Sequence, residues 1–313
     1  MKLKIVSCVL IVGLLISTIP VTAQSSVTPL AVLSEVEQLL YGKVQSGAVL
    51  ARIEQIENEI FGEVQSGPVM TRIDRIDDFL EGNLTSSGLK LQLNLVEWGF
   101  SAALNAHEPL LKRLEKIENE FLGAPQEGSL DHRVKQMMVF IWGITELDFK
   151  PVNIEEQTLV EIQLLQTVDS GKNKEGDEVK YRVSSDVIVD DRIVIPKGAI
   201  GIGKITQVVS AGSLGRNGRI VIDFGTVPAL DGSNIRLQMS ERATEENRRL
   251  ELAAGASMAG VLLLGPLGLG PLGLAGGYFV KGEDVQIKSE TRFFVETERT
   301  RETFGFLLAP AKR

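Results

Sequence analysis

The residues of this chain that bear on chemistry are two histidines, one cysteine and a scatter of carboxylates. Neither His107 nor His132 has a cysteine nearby or a carboxylate at zinc-site spacing. His107 precedes Glu108-Pro109 at an expected helix start and reads as a polar surface residue. Serines are common, but no G-x-S-x-G elbow occurs. Asp190-Asp191 falls in an expected hairpin turn. Glu161 and Asp177 would form an acid–base pair only if the fold brought them together. Gly268-Leu269-Gly270-Pro271-Leu272-Gly273 satisfies the dinucleotide pattern G-x-G-x-x-G. Pro271 lacks the N–H that a phosphate needs, however, and no βαβ unit surrounds the match. Gly212, Gly215 and Gly218, with Arg216 and Arg219, make either a flexible hairpin loop or an anion cradle. No catalytic, metal or cofactor site is expected, and the chain reads as a non-catalytic protein.

The elements around these residues begin with an export signal. Lys2 and Lys4 precede an apolar run from Ile5 to Ile16, and Val21-Thr22-Ala23 offers short residues for cleavage. Residues 1–23 are therefore expected to be a secretory signal peptide; a retained N-terminal anchor is the other reading. Cys8 lies in the apolar run, so the mature chain has no thiol for a disulfide, a metal or a nucleophile. Export without disulfides points to a bacterial envelope: the periplasm or outer envelope, with or without membrane association. The formal net charge is −8, and loss of the two signal lysines leaves the mature chain at −10. That balance argues against nucleic acid and against electrostatic attraction to anionic lipid. Any membrane contact must be hydrophobic.

After a polar leader (24–32), an internal repeat of period 20 appears. Gly42-Lys43-Val44-Gln45-Ser46-Gly47 returns as Gly62-Glu63-Val64-Gln65-Ser66-Gly67, and Arg52-Ile53 returns as Arg72-Ile73. Ile117-Glu118-Asn119-Glu120-Phe121-Leu122-Gly123 opens a further copy. Ser46 and Ser66 are expected N-caps, Pro68 lies at a helix start, and Gly62, Gly82 and Gly123 are expected left-handed C-caps. Between them apolar residues keep a 4-3-4 spacing: Val49, Ile53, Ile56, Ile60, then Val69, Ile73, Ile76, Leu80. Leu110, Leu114, Ile117 and Phe121 continue it, as do Leu130, Val134, Met137 and Ile141. Residues 33–147 are thus expected to be helical hairpins. Leu89–Leu95 alternates with period two, but its neighbours favour a helix. So narrow an apolar seam must pair with other helices or with another subunit. The array is either a spacer or an arm for self-association or for docking to an envelope protein.

From about Asp148 the composition shifts to Val, Ile, Thr and Gly. Residues 148–157 read as a linker and 158–313 as an antiparallel β-barrel or sandwich, making an α+β multidomain protein. Strands are expected over 159–164, 179–183, 186–189, 192–195, 199–209, 219–224, 233–239, 285–287 and 292–298. The segment Val194-Ile195-Pro196-Lys197-Gly198-Ala199-Ile200-Gly201-Ile202-Gly203-Lys204-Ile205 resembles the "viP.Gt.i.G.v" segment of TrbI-type conjugation proteins. That family supplies the periplasmic barrel subunit of type IV secretion outer-membrane complexes. The resemblance implies a barrel with a helical hairpin inserted between strands, facing a membrane, and a place in a secretion-type assembly. Unlike that family, this chain carries repeats in place of a cytoplasmic or transmembrane N-terminal part.

The insertion is conspicuous in the sequence. A helix is expected to enter near Ala243, and Leu252 to Val280 carries no charge. Its length suits a hydrocarbon core of ~30 Å. Gly265-Pro266 and Pro271 nevertheless break a single helix, and a single pass would strand 285–298 across the membrane from its barrel. The glycine-rich insertion over 243–280 is expected either to enter a membrane or partner, or to pack on the protein itself. Leu252, Gly255, Met258, Gly260, Leu262, Leu264, Leu267, Leu269, Leu272, Leu274 and Phe279 are its candidate contact residues. Val49, Ile53, Ile56, Ile60, Val69, Ile73, Ile76 and Leu80 are the candidate helical interface. A wall-polymer-binding or hydrolytic module is the remaining alternative, without an acid–base pair to anchor it.

Overall fold

The computed structural model describes residues 28–83, 86–144, 147–212, 216–254 and 284–307. The expected signal peptide and the candidate contact residues from Gly255 to Phe279 lie outside them, as does the 268–273 glycine motif. Six helices come first: α1 (Pro29–Tyr41), α2 (Val49–Phe61), α3 (Val69–Glu81), α4 (Leu89–Ser101), α5 (Leu110–Leu122) and α6 (Leu130–Trp142). The leader expected to reach residue 32 is cut short, because Thr28 caps α1 and Pro29 suits a first helical turn. Leu89–Leu95 is helical, and its alternation reflects burial on two sides: Leu89, Leu91, Leu93, Leu95 and Val96 are all buried.

The repeat works through a bond set that the helical spacing alone does not reveal. Glu37 of α1 receives Nε and Nη2 of Arg52, each at 2.7 Å, and the Gln45 backbone N–H at 2.9 Å. Glu57, Arg72 and Gln65 repeat this between α2 and α3; Glu118, Arg133 and Gln126 repeat it between α5 and α6. Glu97, Arg113 and Asn105 form a variant between α4 and α5, joined by Asn94. Each glutamate thus fixes the loop after its own helix and the start of the next. This tether replaces the expected serine caps: α2 and α3 begin after Ala48 and Pro68, with no side-chain cap bond. Ser46 and Ser66 lie in the tethered loops, before Gly47 and Gly67 at positive φ. Gly62 and Gly123 end their helices in the left-handed region, whereas Gly82 takes an extended ψ and bridges to Ser87.

The tether is missing between α3 and α4. Asp77 stands where Glu37 and Glu57 recur, and Gln92 stands fifteen residues on in place of arginine. The helices therefore form two tethered triplets, α1–α3 and α4–α6.

The β half begins earlier than expected. Phe149–Ile154, within the expected linker, is strand β1, because Arg301–Phe306 (β12) supplies an antiparallel partner from the far end of the chain. Between them run β2 (Leu159–Leu164), β3 (Val168–Asp169), β4 (Glu178–Val183), β5 (Val187–Val189), β6 (Arg192–Ile195) and β7 (Ile200–Val209). Then come β8 (Arg219–Pro228), β9 (Asn234–Gln238), helix α7 (Glu241–Ala254), β10 (Gln286–Ile287) and β11 (Arg292–Thr297). A closed barrel follows the order β11-β2-β4-β7-β8-β9; a flanking sheet runs β1-β12-β6-β5, and β10 pairs with β3. Tyr181, Phe224 and Phe293 fill the barrel, with ring centroids 6.0 and 5.4 Å apart. The Tyr181 hydroxyl donates to the Phe224 carbonyl at 2.7 Å. Gly201 is obligatory opposite it, since a Cβ there would meet the tyrosine ring at 2.1 Å. The fold is α+β: a helical half followed by an antiparallel barrel.

The two halves share one continuous apolar core. Leu104, in the α4–α5 connection, makes a parallel bridge to Ala199 and exchanges backbone bonds with Gly198 and Ile200 at 3.2 and 2.8 Å. Asn94 Nδ2 donates to the Leu230 carbonyl at 2.7 Å, and Trp98 Nε1 donates to that of Lys197 at 3.1 Å. Trp142 of α6 packs on Phe306 of β12.

Candidate functional site

Several of the described residues screened for chemistry make structural contacts. His107 Nε2 lies 3.1 Å from the Ile200 carbonyl at the junction of the two halves. His132 gives its backbone N–H to Ser129, the cap of α6. Asp190 and Asp191 both adopt positive φ in the β5–β6 turn, a backbone role that acidic side chains tolerate. Asp177 accepts from Asn173 Nδ2 and the Lys174 N–H within one turn, which holds its carboxyl below the usual range. Among the described residues, no three His, Cys, Asp or Glu are grouped to hold a metal.

A cleft of about 440 Å³ opens between the α3–α4 turn and the barrel, lined by Glu81, Lys90, Asp231, Asn234, Arg301 and Phe304. Its charges are mostly engaged. Lys90 Nζ reaches both oxygens of Glu81 at 2.7 Å. Asp231 accepts from Thr303 Oγ1, the Phe304 N–H and the Ser233 N–H. This arrangement fixes the β8–β9 turn and offers no acid–base pair.

The helical half is the better candidate for contact. Ile53, Ile56, Ile60, Ile73, Ile76 and Leu80 are buried within the chain, so this seam is the array's own core. Val49 and Val69, at the helix starts, are 40% and 39% exposed. Leu50, Met70, Val44 and Val64 are exposed beside them in the same period of 20. A second apolar surface is built from rings. Phe121 stands 6.0 Å from Phe100 and 6.1 Å from Phe140, and Phe121 and Phe140 are 46% and 54% exposed. Leu122 and Val139 widen that surface. Clustered exposure of this kind is what marks an interaction face, in contrast to single exposed apolar residues. The 4-3-4 spacing places Phe121 in the seam, but at the last turn of α5 it is exposed.

The insertion is visible at its entrance. α7 begins at Glu241, just after Ser240, whose hydroxyl accepts the Ala243 N–H at 3.0 Å. It runs to Ala254 and includes Leu252. Among the described residues no helix is long and apolar enough to cross a membrane.

The segment Val194–Ile205 forms the end of β6, the Pro196–Ala199 turn and the first half of β7. No family model matches the chain, and no curated protein matches it. Among solved structures, the chain is similar to ComB10 of the Com type IV secretion system of Helicobacter pylori. The identity is 18%, the match covers 51% of this chain and 93% of that one, and the TM-score is 0.26.

Proposed function

We propose that this is a non-catalytic exported envelope protein, in which a helical docking arm is fixed to a β-barrel that contacts a membrane or an envelope partner. The observation that carries the reading is the pair of exposed apolar surfaces on a helical half joined to the barrel by backbone bonds at Leu104. An arm of this kind can hold a partner in a fixed orientation to the barrel. The exported location rests on the N-terminal signal in the sequence, and the hydrophobic contact on the uncharged run from Leu252 to Val280. Fractionation of cells expressing the full chain tests it, combined with protease accessibility of the C-terminus. Recovery in the envelope fraction supports the reading; a wholly soluble monomer without detergent overturns it.

A second reading is a subunit of a type IV secretion-like envelope assembly. It is favoured by the TrbI-like residues Val194–Ile205, which lie on a strand–turn–strand unit of a closed barrel. Electron microscopy of detergent-extracted protein distinguishes the two: rings support the assembly, and isolated dimers or monomers count against it.

A further inference from the structure

The barrel wall is not equally paired around its circumference. β11 pairs with β2 from Arg292 to Glu296, but its other edge meets β9 only at Glu296 and Thr297. The rest of that edge lies under α7. Asn247 Nδ2 donates to the Phe294 carbonyl at 3.0 Å, and Asn247 Oδ1 accepts the Phe294 N–H at 2.6 Å. One side-chain amide thus substitutes for the neighbouring strand that β9 does not provide, and satisfies both backbone groups of an open edge.

Glu296 lies beneath the first turn of α7. Its side chain is 0% exposed, and neither carboxylate oxygen accepts a hydrogen bond among the described residues. Arg242 of α7 approaches only to 3.9 Å through Nε, while its Nη1 donates to the Gln157 carbonyl at 3.0 Å. A carboxylate removed from water with a distant counter-charge and no donor opposes the closure that buries it. Lifting α7 would return Glu296 to water. Asn247 therefore holds the helix down while Glu296 works against it.

We propose that α7 is a latch over the β9–β11 seam, held shut by the Asn247–Phe294 bracket and biased towards opening by Glu296. Opening would free the N–H and C=O of Phe294 at the strand edge. α7 runs to Ala254 and so includes Leu252, the first residue of the uncharged run.

Hydrogen exchange of the full-length protein tests this, because the Phe294 amide is covered by α7 and not by a strand. Trypsin cleavage after Arg248 and Arg249 gives a second readout of the same opening. Asn247→Ala is expected to speed exchange at Phe294 by roughly tenfold while amides shared by β4 and β7 keep their protection. E296Q removes the opposing charge, and is expected to slow both Phe294 exchange and tryptic cleavage by roughly threefold. R242A, at an exposed position, is expected to speed both. The proposal is overturned if E296Q exchanges at or above the wild-type rate. It is equally overturned if Phe294 exchange in N247A rises only together with β4 and β7, which would mean that the whole barrel opens at once. Should N247A fail to fold, E296Q and R242A decide the matter.

Discussion

Arg52 grips Glu37 through two parallel bonds, Nε to Oε1 and Nη2 to Oε2, each 2.7 Å long, with the carboxylate wholly buried between α1 and α2. The pair is covalently remote enough to join two helices and close enough to fix the loop between them. Removing one partner leaves a buried charge, which is far worse than replacing both. Arg52→Ala is expected to lower stability by about 3–5 kcal/mol, whereas a Glu37→Met, Arg52→Met double variant should lose much less. Urea unfolding of the two variants measures the difference.

Acid should weaken the helical tethers. Burial pushes the carboxyls of Glu37 and Glu57 upwards. The hydrogen bonds from Arg52 and Arg72, the loop N–H of Gln45 and Gln65, and the arginine charges outweigh burial and hold both below their ordinary value of 4.5. A carboxyl lowered on folding stabilises fully above its unfolded value, and that contribution disappears as pH falls through the folded one. Far-ultraviolet circular dichroism during acid titration is expected to show helix loss beginning below that ordinary value. Stability between neutral pH and that value should change little from these two groups.

Asp77 has the opposite sign. It occupies the repeat position of Glu37 and Glu57 without an arginine opposite, and burial, then the charges of Glu81 and Asp78, raise its pKa. Its ionised form therefore opposes folding at neutral pH. Asp77→Asn is expected to stabilise by roughly 0.5 kcal/mol, a small gain because solvent screens a partly exposed group. The gain should vanish once the pH is low enough to protonate the wild-type carboxyl.

Tyr41 presents a simpler case. Its hydroxyl is buried at the end of α1 with no hydrogen-bond partner among the described residues. Burial, followed by the charges of Glu59 and Glu37, pushes its pKa up to about 12. Deleting an unsatisfied buried hydroxyl is neutral or favourable, so Tyr41→Phe should hold or raise stability by up to about 1 kcal/mol. Thermal unfolding of the two proteins side by side checks it.

Gly198 tests the junction. Its φ is +90°, and a Cβ there would lie 2.1 Å from the Ala102 carbonyl oxygen. Gly198→Ala is expected to cost about 2–4 kcal/mol through strain and separation of the halves. A single calorimetric transition should become two. One unchanged transition would mean that the junction does not couple the halves.

The parts legible in the sequence were those set by short-range pattern. The 4-3-4 spacing located α2, α3, α5 and α6, and the alternation of Leu159–Leu164 matched β2 to the residue. What escaped was set by distant partners. Phe149–Ile154 has no strong alternation and becomes a strand because β12 lies beside it. The recurring Glu and Arg are visible in the sequence, but a glutamate on a helix looks the same whether it faces solvent or an ion pair. Fifteen residues of separation gives no hint that Glu57 meets Arg72 until the intervening loop folds back. Asn247 was equally silent, since an asparagine on a charged helix carries no mark of the strand edge it will cover. The exposed rings of Phe121 and Phe140 are silent too, because a 4-3-4 spacing does not say how deep each position sits and Phe140 lies off the seam.

The parallel bridge between Leu104 and Ala199 has a mechanical consequence. Backbone bonds along a short shared segment resist shear better than side-chain packing alone, and Asn94 and Trp98 brace it on either side. A load applied to the helical half would therefore pass into β7 of the barrel wall through this segment. The helical half is keyed to the barrel wall at this bridge.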